Sequence, residues 1–168
     1  MSTRIHPEIL FIPGTFSLFI APSEIIEGAL ITLLRRYRGQ ALYLCGNYPV
    51  ILPGLSECQN GFHVRRALTI FQVLTILEEA SEPLILFEHD RTLYDDTNDV
   101  LPYIQEYIRQ KTSGDHMVCL FATHSDKWLQ KFEPDTHRFV YIFELVSRVH
   151  TKILASTESH QQLLDGLW

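Results

Sequence analysis

The feature that most constrains the fold is a set of short, uninterrupted apolar runs separated by helix-like segments. The clearest run is 84–87, Leu-Ile-Leu-Phe, which leads directly into Glu88 and a turn-like His-Asp-Arg-Thr segment. A strand that is apolar without alternation is buried on both faces, as in a parallel sheet covered by helices. Because α/β proteins place their ligands where such strands end, Glu88 is the first candidate site residue.

The rest of the chain repeats this order of strands and helices. Further strands are predicted at 9–12, 17–21, 41–45, 117–122, 138–143 and 149–154. Helices are predicted at 24–37 (with Ser23 as N-cap), 63–80 and 98–111. Residues 48–61 are rich in Pro, Gly, Ser and Asn and predict a loop. The order predicts a mainly parallel α/β sheet with a C-terminal antiparallel hairpin, in a single domain over residues 1–168.

Composition limits the classes of protein to which the chain can belong. A hydrophobic fraction of 46% and a charged fraction of 20% are typical of a folded globular protein. The formal net charge of −6 gives no bulk attraction for a polyanion, so any contact with DNA requires a local basic patch. Three cysteines without a second Cys/His pair predict a reducing compartment and no metal site. No apolar run reaches ~18 residues and no signal-peptide layout is present, so we expect an intracellular protein without a membrane partner.

Three segments resemble the core of RecA-like recombinases, in particular the eukaryotic and archaeal recombinase paralogues. Residues 84–94, LILFEHDRTLY, are similar to the family's Walker B strand, and Glu88 falls on its acidic position. Residues 63–80 look like the helix before that strand. Residues 119–126, CLFATHSD, resemble the strand that ends at the sensor of the γ-phosphate, with His124 near the sensor position. The likeness extends over roughly residues 9–155 and implies a RecA-like P-loop NTPase core.

The chain departs from this family where a nucleotide should bind. It contains no Gly-x-x-x-x-Gly-Lys-Ser/Thr sequence, and the expected position of the phosphate loop, 21–24, reads Ala-Pro-Ser-Glu. This segment has too few backbone amides to wrap a triphosphate and no lysine to reach it, and Glu24 would repel it. After the 41–45 strand, Gly46-Asn47 supplies no acidic residue to orient water. We therefore expect a degenerate core that has lost the phosphate loop, without ATPase activity, catalytic residues or cofactor, in which Glu88 is a relic carboxylate.

Candidate DNA contacts lie in two segments. Lys127 and Lys131 flank Trp128 in the region where RecA-like proteins carry their second DNA-binding loop. An aromatic ring between lysines can stack on bases while the lysines bind phosphates. Equally, Trp128 can cover the end of the sheet or pack against a partner protein. Arg65 and Arg66, at the start of a predicted helix, are further candidates.

An acid–base site is a weaker interpretation. The segment His89-Asp90-Arg91 has suitable residue types, but the sequence positions no nucleophile beside it, so a solvated loop with a local ion pair is the favoured interpretation. The acidic segment 95–99 is interpreted as the N-terminal cap of the following helix rather than as a metal site. An enzyme with an unrecognised site at His89, Asp90 or His124 remains an alternative.

The resemblance implies a non-catalytic recombinase paralogue of the Shu-complex type. Such a protein would be one subunit of a heteromeric complex that supports homologous recombination and DNA repair. Its implied partners are another recombinase paralogue or the recombinase itself, with single-stranded DNA reached through the complex. The implied location is the nucleus in a eukaryote or the cytoplasm in an archaeon. The alternative is an inactivated relative of KaiC-like or archaeal motility ATPases, which would serve as a signalling or regulatory module without nucleic acid.

Overall fold

A computed structural model describes residues 10–94, 99–145, 148–155 and 162–164. The strands, in chain order, are β1 Phe16–Ile20, β2 Ala41–Cys45, β3 His63–Arg66, β4 Leu84–Glu88, β5 Met117–Ala122, β6 Arg138–Leu145, β7 Arg148–Ala155 and β8 Gln162–Leu164. The α-helices are α1 Ser23–Arg36, α2 Ile70–Glu79, α3 Leu101–Ser113 and α4 Lys127–Phe132. Short 3-10 helices occupy Leu52–Gly61, Arg91–Tyr94 and Glu133–Asp135. Within the described residues, no helix has the length and apolar character needed to cross a bilayer.

All eight strands form one sheet, in the order β3-β2-β4-β5-β1-β6-β7-β8. The six strands from β3 to β6 run parallel, whereas β7 pairs antiparallel with β6, and β8 antiparallel with β7. The predicted mainly parallel sheet with a C-terminal antiparallel hairpin is therefore confirmed. The strand β8 is an addition that the sequence pattern did not predict.

Helices cover both faces of the sheet, and each face has its own apolar cluster. The helix α1 and the 3-10 helix Leu52–Gly61 pack on one face, and α2, α3 and α4 pack on the other. Because side chains alternate along a strand, Tyr43 belongs to the first cluster, whereas Leu42 and Leu44 belong to the second. Every residue of β2 and β4 is buried, as their unbroken apolar sequences predict.

The predicted helix 63–80 is wrong in its first part. His63–Arg66 forms β3, an edge strand that pairs with β2 alone. The helix α2 starts only at Ile70, because Thr69 is extended (φ −138°, ψ 158°) and its side chain accepts a hydrogen bond from Gln72 N. The predicted loop 48–61 is also partly regular, since Leu52–Gly61 is a 3-10 helix.

Three predictions about strand and helix starts are wrong as well. Residues 10–12 form no strand, and Ile9 lies outside the described residues. Ser23 is the first residue of α1 and not its N-cap, which is Pro22 and makes no side-chain hydrogen bond. The acidic segment does not cap α3, whose N-cap is Val100; its residues 95–98 lie outside the described part of the chain. A proline in the first turn suits the helix without a cap, because its fixed φ is already helical and its missing amide is not needed there.

Candidate functional site

The candidate site lies at the carboxyl ends of the neighbouring parallel strands β2, β4, β5 and β1. Their last residues are Cys45, Glu88, Ala122 and Ile20. Ligands of open parallel sheets bind at this edge, because the loops and helix starts that follow the strands converge there. The side chains at the ends of these strands therefore decide what chemistry the edge can carry.

The connection from β1 to α1 consists of Ala21 and Pro22 alone. The amide of Ala21 donates to the carbonyl of Ala122 on β5 at 3.1 Å, so this short turn is tied to the sheet. The amides of Ile25 and Ile26 both donate to the carbonyl of Pro22, at 3.0 and 3.2 Å. The turn has neither the length nor the lysine of a loop that wraps phosphates.

Glu88 is buried at the end of β4, and both of its carboxyl oxygens accept hydrogen bonds. Oε1 accepts from the amides of Val50 and Ile51, the second at 2.8 Å, and Oε2 accepts from the Tyr43 hydroxyl at 2.5 Å. The pKa of Tyr43 is raised, first by burial and then by the charge of Glu88. The position that would hold a metal ion in an ATPase is thus occupied by three protein donors, and Glu88 clamps the loop after β2 onto the sheet.

Asp90 holds the same loop from a second point. Its carboxylate accepts from the amide and hydroxyl of Thr92 at 2.9 and 2.6 Å, and from the amide of Tyr48 at 3.4 Å. Burial raises the pKa of Asp90, but the bonds from Thr92 and from the loop outweigh burial and lower it overall. A side-chain carbon at Gly46 would lie 2.2 Å from Asp90 Oδ2 and 2.6 Å from its Cβ, so only glycine fits there.

The thiol of Cys45 ends β2 beside this clamp. Burial raises its pKa to about 11, although the positive charge of Arg66 opposes the increase. A thiol with this pKa stays protonated at neutral pH, and a protonated thiol is a poor nucleophile. Cys45 therefore adds no reactive group to the carboxyl edge.

His89 and Asp126 link the end of β4 to the start of α4. The His89 Nε2 lies 2.7 Å from Asp126 Oδ2, and Asp126 Oδ1 caps α4 by accepting the amides of Trp128 and Leu129. Burial raises the pKa of Asp126, but the bonds from His89 and from these two amides lower it overall. Because one oxygen of the carboxylate contacts His89 and the other caps α4, this pair joins the end of β4 to the start of α4.

The remaining histidine of this edge is exposed. His124 Nδ1 lies 2.9 Å from the Thr123 hydroxyl, one residue beyond the loop start after β5. Its sensor-like role stays a prediction. Among the residues whose side chains the structure describes, no three His, Cys, Asp or Glu residues come close enough to hold a metal ion together.

Trp128 is the buried end of an aromatic stack. Its ring stacks on Tyr94 with centroids 5.4 Å apart, and Tyr94 stacks on His89 at the same distance. Only 4% of Trp128 is exposed, because the ammonium groups of Lys127 and Lys131 lie over the ring at 4.7 and 4.8 Å from its centroid. The ring is not free to stack on a base in this conformation. The alternative interpretation, that Trp128 covers the end of the sheet, agrees with its burial.

The predicted basic residues fall on separate parts of the molecule. Lys127 and Lys131 follow β5, whereas Arg65 and Arg66 lie on β3. These two strands are three positions apart in the sheet, so their axes are about 14 Å apart. Arg65 pairs with Glu79 at 2.7 Å, so part of its charge is neutralised. The basic candidates do not form one continuous patch.

An exposed apolar surface, which the sequence analysis missed, surrounds β3. It consists of the large hydrophobic side chains that lie on the loop after β2, on β3 and at the start of α2, namely Tyr48, Val50, Val64, Leu68 and Phe71. We call these five residues the edge surface. They are 44–76% exposed, and they are five of the six large hydrophobic residues that are exposed in the described part of the chain. Exposed apolar side chains on and beside a strand that has only one partner among the described residues are typical of a binding surface for another protein.

A sequence signal for this surface existed. In the predicted helix 63–80, Val64, Leu68 and Phe71 would share one apolar side, but the helix does not extend over residues 63–69. Thr69-x-x-Gln72 has the sequence of a capping box: Thr69 accepts the amide of Gln72, and the Gln72 side chain accepts the amide of Leu68, one residue before the N-cap, at 2.6 Å. This motif places the start of the helix at Ile70, and it therefore predicts that residues 63–69 lie outside the helix.

Comparisons with known proteins support this description of the fold. No model of a known protein family matches the chain. An uncharacterized protein of Archaeoglobus fulgidus is 31% identical over 131 residues, which are 76% of this chain and 64% of the relative. The chain thus spans less than two thirds of that relative's length.

Two solved structures have the same architecture at low sequence identity. The flagellar accessory protein FlaH from Methanocaldococcus jannaschii has a TM-score of 0.62 and 8% identity, over 98% of this chain and 90% of FlaH. The RadB recombinase has a TM-score of 0.61 and 12% identity, over 91% of this chain and 86% of RadB. The chain therefore has a RecA-like fold, a mainly parallel α/β core like those of RadB and FlaH.

Proposed function

We propose that this chain is a non-catalytic RecA-like subunit that binds a partner protein, within a complex that supports homologous recombination and DNA repair. The edge surface is the observation that carries the proposal. A RecA-like chain without a phosphate-binding loop keeps its surfaces for neighbouring subunits, and a permanent partner would remove Val64, Leu68 and Phe71 from water. The proposed partner is another recombinase paralogue or the recombinase itself, as in complexes of the Shu type.

Two observations favour recombination over other roles of this fold. The 84–94 segment resembles the Walker B strand of recombinase paralogues, and RadB has the same architecture.

The relative from Archaeoglobus fulgidus favours the cytoplasm of an archaeon over a nucleus as the location. The engaged carboxylate of Glu88 and the two-residue turn from β1 to α1 are the reasons for proposing no ATPase activity.

A regulatory or motility-associated module without nucleic acid is the second candidate. FlaH is named a flagellar accessory protein, and its architecture matches 98% of this chain. The same edge surface would then bind a signalling or motility protein. The identity of the partner distinguishes the two candidates.

The test is affinity purification of the tagged protein from its native host, followed by mass spectrometry of the bound proteins. A matched pair of variants accompanies the wild type: Val64→Lys, in the edge surface, and Tyr103→Lys, at the exposed tyrosine on α3 outside it. Recovery of a recombinase or a paralogue by the wild type and the Tyr103 variant, but not by the Val64 variant, supports the proposal. Recovery of motility proteins supports the second candidate, and a protein without any partner contradicts both.

Contact with DNA by the assembled complex is proposed for Lys127 and Lys131. Neither lysine forms an ion pair with another described residue, so both charges are available to phosphates although Trp128 is not available to bases. We expect the double alanine variant to weaken binding of single-stranded DNA and to lower the slope of log K against log salt by about 1.4, or 0.7 per contact.

The matched control is Arg36→Ala combined with Arg38→Ala, which removes the same charge at the far end of α1. These two residues lie near the amino edge of the sheet, because α1 runs back from the carboxyl end of β1. An equal loss of affinity in both double variants would show that only overall charge matters. An unchanged salt slope in the lysine variant would exclude these lysines as phosphate contacts.

A further inference from the structure

A groove lies beside β3, on the face of the sheet that α1 covers. It has a volume of ≈440 Å³ and is lined mostly by apolar side chains, with two polar ones: Pro49, Leu52, Pro53, Gln59, Phe62, Val64 and Arg66. Val64 and Arg66 share this face because they are two residues apart on a strand. His63 and Arg65 lie on the opposite face, where Arg65 forms an ion pair with Glu79 of α2. The groove is large enough for a few side chains of a bound peptide.

The loop after β2 forms the wall opposite β3, and the carboxylates of Glu88 and Asp90 hold this loop in place. Pro49 lies between Tyr48, whose amide bonds Asp90, and Val50, whose amide bonds Glu88. Ile51 adds a further amide bond to Glu88 at 2.8 Å. The loop therefore has a defined position although it contains no helix or strand, and the groove exists before any ligand binds.

Arg66 gives the groove its charge. It is exposed and forms no ion pair with a described residue, unlike its neighbour Arg65, which pairs with Glu79 at 2.7 Å. In a protein of net charge −6, an unpaired guanidinium at the end of an apolar groove is a specific local feature. Its chemistry fits a carboxylate, which arginine binds with two parallel hydrogen bonds.

We propose that this groove binds an extended segment of the partner protein that carries an apolar side chain next to an acidic residue. The apolar side chain packs between Pro53, Phe62 and Val64, and the acidic residue pairs with Arg66. The inference rests on the proposed function, since it assigns the chemistry of the partner at the edge surface. It makes Glu88 and Asp90, which hold the loop after β2, the residues that shape a protein-binding groove.

The test uses the purified full chain and a phage-displayed library of random ten-residue peptides. Selected peptides are synthesised with a fluorescent label, and their affinities are measured by fluorescence anisotropy for the wild type, Arg66→Glu, Val64→Lys and Arg65→Glu. We expect the selected peptides to combine an aromatic or aliphatic residue with Asp or Glu, and to lose at least about tenfold in affinity with the first two variants but not with Arg65→Glu. Circular dichroism of each variant checks that the fold is kept, which the exposure of Val64 and Arg66 favours.

Two results would overturn the groove proposal: a library that yields no binder or only basic binders, or binders whose affinity is equal for wild type and Arg66→Glu. These results are independent of the purification experiment. A recombinase partner that is lost with Val64→Lys but binds the Arg66→Glu variant normally would leave the proposed function standing and reject the groove. Acidic peptides that require Arg66, together with a partner unrelated to recombination, would keep the groove and reject the proposed function.

Discussion

At the scale of single residues, Glu88 shows how a carboxylate at the end of a strand can be engaged by donors of the protein itself. A carboxylate at the end of this strand would coordinate a metal ion in an ATPase of this fold, as the sequence resemblance implies. Here its oxygens accept from Tyr43, Val50 and Ile51, which are 45, 38 and 37 residues away along the chain. The carboxylate is still essential to the edge of the sheet, but as an acceptor for protein donors.

A graded pair of substitutions tests this clamp. We expect Glu88→Ala to lower the free energy of unfolding by about 3 kcal/mol, because two amides and a buried hydroxyl lose their acceptor. Glu88→Gln should cost only about 1 kcal/mol, because its oxygen can still accept both amides while its nitrogen donates to the Tyr43 oxygen. Urea denaturation monitored by circular dichroism measures both values.

The control for the Glu88 variants is Glu78→Ala, since the Glu78 side chain is exposed on α2 and forms no ion pair with a described residue. Its effect should stay within about 0.5 kcal/mol. If Glu88→Ala also falls within that range, the clamp does not stabilise the loop, and the groove wall has no fixed position.

At the scale of elements, the boundary between β3 and α2 decides where the edge surface is. Thr69 and Gln72 form the capping box that stops the helix from extending back into residues 63–68. Residues 63–66 are therefore free to pair with β2, with Leu42 opposite His63 and Cys45 opposite Arg66. Val64 becomes an exposed residue of an edge strand as a direct consequence.

Substitution of the cap tests this boundary. We expect Thr69→Ala to destabilise the protein by about 1 kcal/mol, because the first turn of α2 loses an acceptor for one of its free amides. Thr75→Ala is the matched control: Thr75 lies within the same helix and its hydroxyl bonds only the preceding turn, at Phe71 O. Its substitution should be neutral or slightly stabilising, because alanine has the higher helix propensity. Equal effects of the two variants in thermal denaturation would argue against a capping role for Thr69.

At the scale of the whole molecule, the fold keeps the RecA-like sheet while its carboxyl edge is closed by its own loops. The turn from β1 to α1 is two residues long, and the loop after β2 bonds directly to Glu88 and Asp90. Within the described residues, β3 forms one edge of the sheet and carries the exposed side chain of Val64. This arrangement is the basis for the proposal that the chain binds a partner at its side.

This arrangement predicts that nucleotide does not stabilise the protein. We expect 1 mM ATP with Mg²⁺ to change the melting temperature by less than about 1 °C in differential scanning fluorimetry. A site with a dissociation constant near 10 μM would raise it by roughly 5–10 °C at that concentration, since the ligand would add about 2.7 kcal/mol to the stability. An increase of that size, with ADP as the comparison ligand, would contradict the absence of a nucleotide site.

Some elements can be recognised from the amino-acid order of a single segment. The unbroken apolar runs 41–45, 84–87 and 117–122 identify buried parallel strands, because only a strand covered on both faces has no polar alternation. The segment between β1 and α1 lacks the lysine and glycines of a phosphate-binding loop, and this too can be seen in the sequence alone.

The role of a side chain that contacts other segments of the chain can be seen only in the folded protein. The partners of Glu88 and the stacking of Trp128 on Tyr94 arise from contacts between segments far apart in the chain, and the exposure of Val64 follows from the place of β3 in the sheet. An apolar residue at helical spacing is buried by a helix only if that helix exists, and no helix covers residues 63–68, where Ala67 is buried but Val64 and Leu68 are exposed. The strand order places β3 at the open edge, and for that reason its apolar side chains face water instead of the core.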